Sequence, residues 1–195
     1  MSKETIASLP DSVKLICEAG TGYNNIDLEA CQAKGVSLSN VPTYATEAMA
    51  HMAITALMAC SCSLWQQAAA FGCGDFQYLE QCHPGSLTHV ELHGKTLGLV
   101  GGLGTIGKRV AAIASALGMK VIASSSRMAA IGQQNGMEVV SLDELLETSD
   151  FVSIHCPLNA NTKGLIGRVE LAKMKPTAFL INTARGSIID QEALV

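Results

Sequence analysis

The chain has 195 residues, of which 48% are hydrophobic, 15% are charged and only 4% are aromatic. Its formal net charge is −4 and it has no cluster of lysine and arginine, which argues against a nucleic-acid partner because phosphate binding needs a basic surface. No apolar leader segment follows the amino terminus, and the seven cysteines form no C-x-x-C pair, so we expect reduced thiols in a cytoplasmic protein.

The amino-terminal part predicts two short strands on either side of one helix. The apolar run at residues 13–19 predicts a buried strand, and residues 36–38 predict a second strand. Between them, Asp27 is placed to cap a helix of about two turns that ends near Gly35. The sequence Asn-Val-Pro at 40–42 then breaks regular structure.

A long apolar stretch at residues 48–65 follows Thr46 and Glu47. Its length allows a membrane span, but its many alanine, serine, cysteine and threonine residues, together with His51, argue against one. We therefore predict a buried or interface helix and no membrane partner. Residues 71–84 contain two glycines and a proline, which predicts an irregular connection.

From Lys95 onward the pattern alternates between strands and helices. Strands are predicted at residues 96–100, 120–123, 138–140, 151–155 and 178–182, and helices at 105–117, 129–134, 142–147 and 168–174. Apolar runs without polar alternation are typical of strands buried on both faces. This order predicts an α/β fold with a doubly wound parallel sheet of the Rossmann type.

The sequence from Gly102 to Gly107 reads G-x-G-x-x-G and lies between a predicted strand and a predicted helix. In such a motif the first glycine permits a tight turn and the third allows close packing. The second, Gly104, lets the backbone approach a pyrophosphate near the helix start at Thr105 and Ile106. Gly101 also precedes the motif, so the first glycine of the pattern could lie one residue earlier.

The stretch after the second strand of this unit bears on cofactor choice. An NAD-binding unit usually places Asp or Glu there to bind the ribose hydroxyls. Here the residues are Ser125, Ser126 and Arg127, with no acid. Hydroxyl groups and a guanidinium suit a 2′-phosphate, which favours NADP over NAD, although Arg127 could instead be an ordinary surface arginine.

Five segments together carry a family resemblance, and they are residues 19–27, 40–50, 93–107, 149–166 and 174–190. Their sequences and order resemble the D-isomer-specific 2-hydroxyacid dehydrogenase family, and the amino-terminal segment is most similar to hydroxypyruvate reductases and glycerate dehydrogenases. The resemblance implies an NAD(P)-binding domain at 43–195 and part of a flavodoxin-like substrate domain at 1–42. It also implies hydride exchange between NAD(P)H and a small 2-keto acid of the hydroxypyruvate or glyoxylate type.

The resemblance also assigns site residues. It implies that Arg185 is the active-site arginine, which suits the chemistry because a guanidinium can contact both the carboxylate and the carbonyl of a 2-keto acid. It places Thr21 and Gly22 at the substrate carboxylate, with Thr21 also near the cofactor. Further cofactor contacts are implied for four residues: Cys156, Pro157, Thr183 and Ala184.

By the same resemblance, a glutamate and a histidine that acts as general acid lie beyond the arginine segment. The sequence ends at Val195, before either is expected, and none of its five histidines matches that position. We therefore expect this chain to be a fragment, truncated at both ends, with turnover near background. The alternative is a non-catalytic, nucleotide-sensing protein of the corepressor type on the same scaffold.

The sequence also bears on subunit association and on metal binding. In the resembling family the helix at 46–65 packs against a second subunit, so a homodimer is expected. The spacing of cysteines and histidines matches no zinc pattern, so no metal site is expected.

Overall fold

A computed structural model describes residues 1–73, 89–125, 132–134 and 137–195. The amino-terminal part forms a small parallel sheet of two strands, β1 (Leu15–Glu18) and β2 (Ser37–Asn40). Helix α1 (Lys3–Ala7) packs on helix α2 (Leu28–Lys34), which connects the two strands. These elements enclose a separate small core of Ile6, Ile26, Ala30 and Cys31.

The predicted ends of α2 are confirmed. The Asp27 carboxylate accepts a hydrogen bond from the Ala30 N–H at 2.9 Å, and Gly35 ends the helix with a φ of 69°. The second strand begins at Ser37 and continues through Asn40, so the break predicted at residues 40–42 starts one residue later than expected. The division into two domains at residue 42 stays a prediction.

The larger sheet has six strands: β3 (Thr96–Val100), β4 (Lys120–Ser124), β5 (Gly132–Gln134), β6 (Met137–Val139), β7 (Phe151–Ile154) and β8 (Phe179–Asn182). They lie side by side in the order β5-β6-β4-β3-β7-β8. All neighbouring pairs are parallel except β5 with β6. The predicted doubly wound parallel sheet is therefore confirmed. The order reverses at β3, which has β4 on one side and β7 on the other.

The helices of this part are α3 (Thr46–Ser61), α4 (Leu64–Gly72), α5 (Thr105–Ala116), α6 (Leu142–Thr148), α7 (Arg168–Lys173) and α8 (Gln191–Leu194), with a 3₁₀ turn at Gly186–Ile188. Helices α3 and α5 pack on one face of the sheet through Leu57, Val110 and Ala114, and α6 packs on the other through Leu145 and Leu146. Because both faces are covered, β3 and β7 are buried almost throughout, as their unbroken apolar runs predicted.

The prediction of a single helix at residues 48–65 is wrong in one respect. Two helices occupy this stretch, and their axes differ in direction by 70°. The break falls at Cys62 and Ser63, where Ser63 adopts a left-handed backbone with a φ of 50°. Side chains satisfy carbonyls around the break: the Ser61 hydroxyl donates to the Met58 carbonyl at 2.9 Å, and the Gln67 amide donates to the Cys62 carbonyl at 2.6 Å. Among the described residues, no single helix is long and apolar enough to cross a membrane, and only the bent pair α3 and α4 would pass on length and composition.

Two other predictions need correction. Residues 132–134 belong to strand β5 and not to a helix, because they pair antiparallel with β6, while residues 129–131 lie outside the described part of the chain. Residues 71 and 72 complete helix α4 and are not irregular, whereas residues 74–84 also lie outside the described part. The strand predicted at 138–140 covers Met137–Val139.

Candidate active site

A cleft of about 760 Å³ lies between the two sheets, at the carboxyl ends of their parallel strands. Its walls are formed by Glu18 at the end of β1 and residues 20–26 after it, by residues 155–159 after β7, and by residues 183–185 after β8, with Met49 of α3 and Ile106 of α5. The turn after β3 adjoins it. In open α/β sheets, ligands bind outside the carboxyl ends of the strands where the strand order reverses, and here the order reverses between β3 and β7.

The glycine turn after β3 differs in detail from the sequence prediction. The left-handed backbone of the tight turn falls on Gly101, with a φ of 81°, so the turn position lies one residue before the motif. A β-carbon on Gly101 would also lie 2.6 Å from the Cys156 backbone nitrogen. Gly102 and Gly107 instead allow close packing, because a β-carbon on Gly107 would lie 2.6 Å from the Gly102 Cα. Helix α5 can therefore start directly against the turn.

The start of α5 has the features of an anion cradle. Its first residues lie after Gly104, which has an extended backbone and provides no side-chain cap for the free N–H groups. A β-carbon on Gly104 would approach only the Gly101 carbonyl, at 3.6 Å, so the space on its open side is unobstructed. Gly104 and Thr105 are exposed and Ile106 lines the cleft. A pyrophosphate group fits this arrangement of backbone donors and open space.

The loop after β7 is held by Thr162, a buried residue that the sequence interpretation missed. The Thr162 hydroxyl donates to the Pro157 carbonyl at 2.6 Å and accepts from the Asn159 N–H at 2.8 Å. Cys156 is buried against the glycine turn and Pro157 is exposed. The structure therefore brings Cys156 and Pro157 to the cleft beside the start of α5.

The loop after β8 is shaped by Asn182, which ends the strand. Its side-chain oxygen accepts from the Ala184 N–H at 3.0 Å, and its amide nitrogen donates to the Arg185 carbonyl at 2.9 Å. These two bonds fold residues 183–185 into a turn over the end of the sheet. Thr183, Ala184 and Arg185 all line the cleft as a result. The Asn in N-x-x-R is the sequence signal for this role, since Asn side chains favour such turns.

The guanidinium of Arg185 reaches the loop after β1. Its Nε donates to the Asn24 Oδ1 at 3.2 Å, and its Nη1 donates to the Ala184 carbonyl at 3.1 Å. Its Nη2 lies against Gly22, where a β-carbon would overlap it. The ion pairs within the described residues involve Lys34, Arg109, Lys173 and Lys175, and none involves Arg185. A positive charge that has no counter-ion in the described part of the chain thus faces the cleft.

Thr21 lies at the cleft, but its side chain is already engaged. The Thr21 hydroxyl donates to the Val41 carbonyl at 3.1 Å, and the Asn40 amide donates to the Thr21 carbonyl at 2.9 Å. Both bonds tie the loop after β1 to the end of β2. Thr21 and Gly22 are therefore held next to Arg185, and the carboxylate contact implied for them by resemblance would come from the backbone.

His155 and Cys156 make this wall of the cleft uncharged at neutral pH. Burial lowers the pKa of His155 to about 4, and its Nε2 shares a hydrogen bond of 2.9 Å with the buried Ser153 hydroxyl. Burial also raises the pKa of the Cys156 thiol, with a smaller opposing effect from a backbone hydrogen bond. The imidazole is therefore neutral and the sulfur protonated near pH 7.

The residues predicted to select the cofactor are only partly described. Ser125 directly follows β4 at the carboxyl end of the large sheet, whereas Ser126 and Arg127 lie outside the described residues. The described residues contain no group of three or more His, Cys, Asp or Glu side chains that could hold a metal ion.

Comparison with known proteins agrees with this arrangement. Residues 55–195 match the family model for the NAD binding domain of the D-isomer specific 2-hydroxyacid dehydrogenases. The chain is 38% identical over 197 residues to the glyoxylate reductase of Thermococcus litoralis, covering 100% of this chain and 59% of the relative.

Two solved structures are also similar. A glyoxylate reductase from Paecilomyes thermophila matches with a TM-score of 0.86 and 38% identity, over 98% of this chain and 56% of the other. The D-lactate dehydrogenase of Aquifex aeolicus, complexed with NAD and lactic acid, matches with a TM-score of 0.87 and 31% identity, over 100% and 56%. The chain thus spans less than two thirds of the length of these relatives.

The low pKa of His155 predicts a pH dependence of stability. The unfolded chain takes up a proton on this side chain at its ordinary pKa of 6.5, whereas the native protein does so only near pH 4. The unfolded state therefore binds more protons between these values, and the free energy of unfolding should fall as the pH is lowered through this window, by up to about 3 kcal/mol.

His155→Gln should flatten this dependence between pH 6.5 and 4 when urea unfolding is measured at several pH values. His51→Gln, which removes an exposed histidine from α3, is the matched control and should leave the dependence unchanged. An NMR titration in which the His155 ring protonates near pH 6.5 would contradict the prediction.

Proposed function

The chain belongs to the D-isomer specific 2-hydroxyacid dehydrogenase family, and we propose that its cleft supports hydride transfer between a nicotinamide cofactor and a small 2-keto acid of the glyoxylate or hydroxypyruvate type. The observation that carries this proposal is the Arg185 guanidinium, which faces the cleft without a counter-ion among the described residues. A 2-keto acid supplies the carboxylate that this charge lacks.

The cofactor would be held by the open start of α5 and by the loops beside it. Backbone N–H groups from Thr105 to Gly107 would bind the pyrophosphate, with the positive end of the helix dipole behind them, since the Gly104 N–H already donates to the Gly101 carbonyl. The Cys156–Pro157 loop and the Thr183–Ala184 turn would hold its nicotinamide half. The reduced cofactor would supply the hydride for the carbonyl carbon of the substrate.

Arg185 has two roles in this proposal. Its guanidinium orients the substrate by pairing with the planar carboxylate, which fixes the neighbouring carbonyl in the cleft. The same group stabilises the negative charge that grows on the carbonyl oxygen during reduction. Asn24 and Gly22 position the guanidinium, and the backbone at Thr21 and Gly22 offers further donors to the carboxylate.

His155 does not fit the role of the acid that protonates the product oxygen. Its pKa of about 4 leaves the ring uncharged at neutral pH, and its Nε2 is already bonded to Ser153.

The cleft also distinguishes this proposal from a protein that only senses the nucleotide. A sensor of the dinucleotide has no need of an arginine held at the substrate side, so the position of Arg185 favours the dehydrogenase.

Replacement of Arg185 should weaken keto-acid binding and leave cofactor binding intact. With oxidised cofactor present, so that no turnover occurs, Arg185→Met should lower the affinity for glyoxylate or hydroxypyruvate by roughly tenfold to a hundredfold, the range for a charge-assisted hydrogen bond. Arg185→Lys should also lose affinity, because an ammonium cannot make the paired planar contact.

Isothermal titration calorimetry, with the keto acid and the cofactor titrated in separate experiments, measures the affinity for each. Arg168→Met at the exposed start of α7 is the control and should bind like the wild type. Unchanged keto-acid affinity in Arg185→Met would contradict the proposed role.

We further propose a preference for NADP over NAD. The support is the sequence Ser125, Ser126 and Arg127 after β4, where a carboxylate would repel the 2′-phosphate and an arginine attracts it. The chain should therefore bind NADPH more tightly than NADH, by about tenfold to a hundredfold if one arginine–phosphate contact of roughly 1.5–3 kcal/mol distinguishes them.

Fluorescence titration with both reduced cofactors tests this preference. Arg127→Ala should weaken NADPH binding and leave NADH binding unchanged, whereas Arg168→Ala should affect neither. Equal or tighter binding of NADH by the wild type would show that the preference is wrong.

We also propose that two copies of the chain associate through α3 and α4. Both helices have large apolar side chains exposed to solvent: Met52 (58%), Met58 (43%), Leu64 (50%), Trp65 (68%) and Phe71 (56%). Burying such a surface against its own copy would give a symmetric homodimer. Trp65 is the single tryptophan, so its fluorescence reports on this surface alone.

On dilution, the Trp65 emission should shift to longer wavelength while light scattering falls from dimer to monomer mass. Trp65→Ser should shift the dissociation to higher protein concentration. A wild-type chain that is monomeric at high concentration, with a folded circular dichroism spectrum, would contradict the proposal.

A further inference from the structure

Glu18 is the second charged side chain in the wall of the cleft. It ends strand β1, is half-buried and lines the cleft. Its side chain turns back over the following loop, since a β-carbon on Gly20 would lie 2.9 Å from the Glu18 Oε1. None of the four ion pairs within the described residues includes Glu18, so the carboxylate has no cationic partner there.

The carboxylate of Glu18 and the guanidinium of Arg185 lie over the same short loop. Glu18 covers Gly20, and Arg185 covers Gly22. These two glycines are two positions apart, so their Cα atoms lie at most about 7 Å apart. Glu18 and Arg185 therefore flank one short stretch of the cleft wall. Among the described side chains that line the cleft, these two are the only Asp, Glu, Lys or Arg.

The two groups cannot both attract the same end of a substrate. Arg185 attracts the carboxylate, whereas Glu18 repels a second anionic group and accepts hydrogen bonds from hydroxyl or amino groups. Exclusion of a wrong ligand by repulsion is a recognised source of specificity.

We propose that Glu18 determines the substrate class of this site: it admits 2-keto acids whose far end is small, uncharged or a hydrogen-bond donor, and it excludes those with a phosphate or a second carboxylate. The inference rests on the proposed function, since it places the substrate carboxylate at Arg185. Hydroxypyruvate has the favoured character, with a hydroxyl at the end remote from its carboxylate, whereas its phosphate ester has the excluded one.

The test compares two ligands that differ only by a phosphate. D-glycerate and 3-phospho-D-glycerate are titrated calorimetrically into the full chain in the presence of reduced cofactor, so that no turnover occurs. The wild type should bind D-glycerate at least tenfold more tightly than the phosphate ester. Glu18→Gln, which keeps the shape and removes the charge, should raise the affinity for the ester about tenfold and change that for D-glycerate by less than threefold.

Glu29→Gln, on the exposed side of α2, removes the same charge away from the cleft and should leave both affinities as in the wild type. The discrimination by the wild type should also shrink at 1 M salt, since exposed charges are then screened within about 3 Å. Wild-type chain that binds the ester as tightly as D-glycerate would overturn the inference, as would Glu18→Gln with an unchanged ratio of the two affinities.

Arg185→Met separates the two proposals. If this variant loses D-glycerate binding while Glu18→Gln leaves the ratio unchanged, the role of Glu18 is wrong and the proposed function stands. If Arg185→Met binds D-glycerate like the wild type, or if the wild type binds neither ligand, the proposed function itself fails and the inference fails with it.

Discussion

The position of the Arg185 guanidinium depends on the absence of a side chain at Gly22. Arg185 follows a strand of the six-stranded sheet, whereas Gly22 belongs to the loop after the first strand of the small sheet. The arginine can reach across because a β-carbon at Gly22 would occupy the place of its Nη2. Asn24, two residues further, accepts its Nε. These contacts fix the position of the positive charge in the cleft, and the other groups of the cleft are arranged around that charge.

Close packing of backbone explains the opposite wall in the same way. Gly101 turns the chain after β3 directly against Cys156, which follows β7. Gly107 then brings the start of α5 onto Gly102. Both approaches need residues without a β-carbon, and together they put uncapped backbone donors at the point where the strand order reverses. Glycines therefore determine the shape of the cleft on both sides, because the absence of a side chain lets neighbouring groups come close.

The described lining of the cleft carries few charged side chains, so each of them strongly influences which ligand can bind. Burial leaves His155 neutral and Cys156 protonated near pH 7, and Arg185 and Glu18 alone carry the Lys, Arg, Asp and Glu charge among the described lining residues. In a partly enclosed space the effective dielectric constant is lower than in water, so each of these charges acts on a ligand more strongly than it would in open solvent. The site thus combines an apolar, backbone-lined interior with one cationic side chain, Arg185, and one anionic side chain, Glu18.

Sequence patterns predicted the order of most strands and helices, the cap at Asp27, the glycine motif and the position of Arg185 at the end of a strand. These features depend on local chemistry: apolar runs form strands buried on both faces, Asp caps a helix, and glycine permits tight turns. The bend at Ser63 and strand β5 were not predictable in this way. The run around Ser63 is apolar on both sides of the bend, and residues 132–134 form a strand only by pairing with β6.

The sequence by itself determined that the chain has a parallel α/β fold with a glycine-rich turn and an arginine after a buried strand, because these depend on residue types at short spacing. The family resemblance placed Gly22 with Arg185 at the substrate, but only the tertiary structure decided that Asn24 and Glu18 share this cleft with them. Asn24 and Glu18 lie more than 150 positions before the arginine, as the separation of 161 between Asn24 and Arg185 illustrates. No local pattern relates residues so far apart, and they meet because the carboxyl ends of parallel strands from the two sheets face one another.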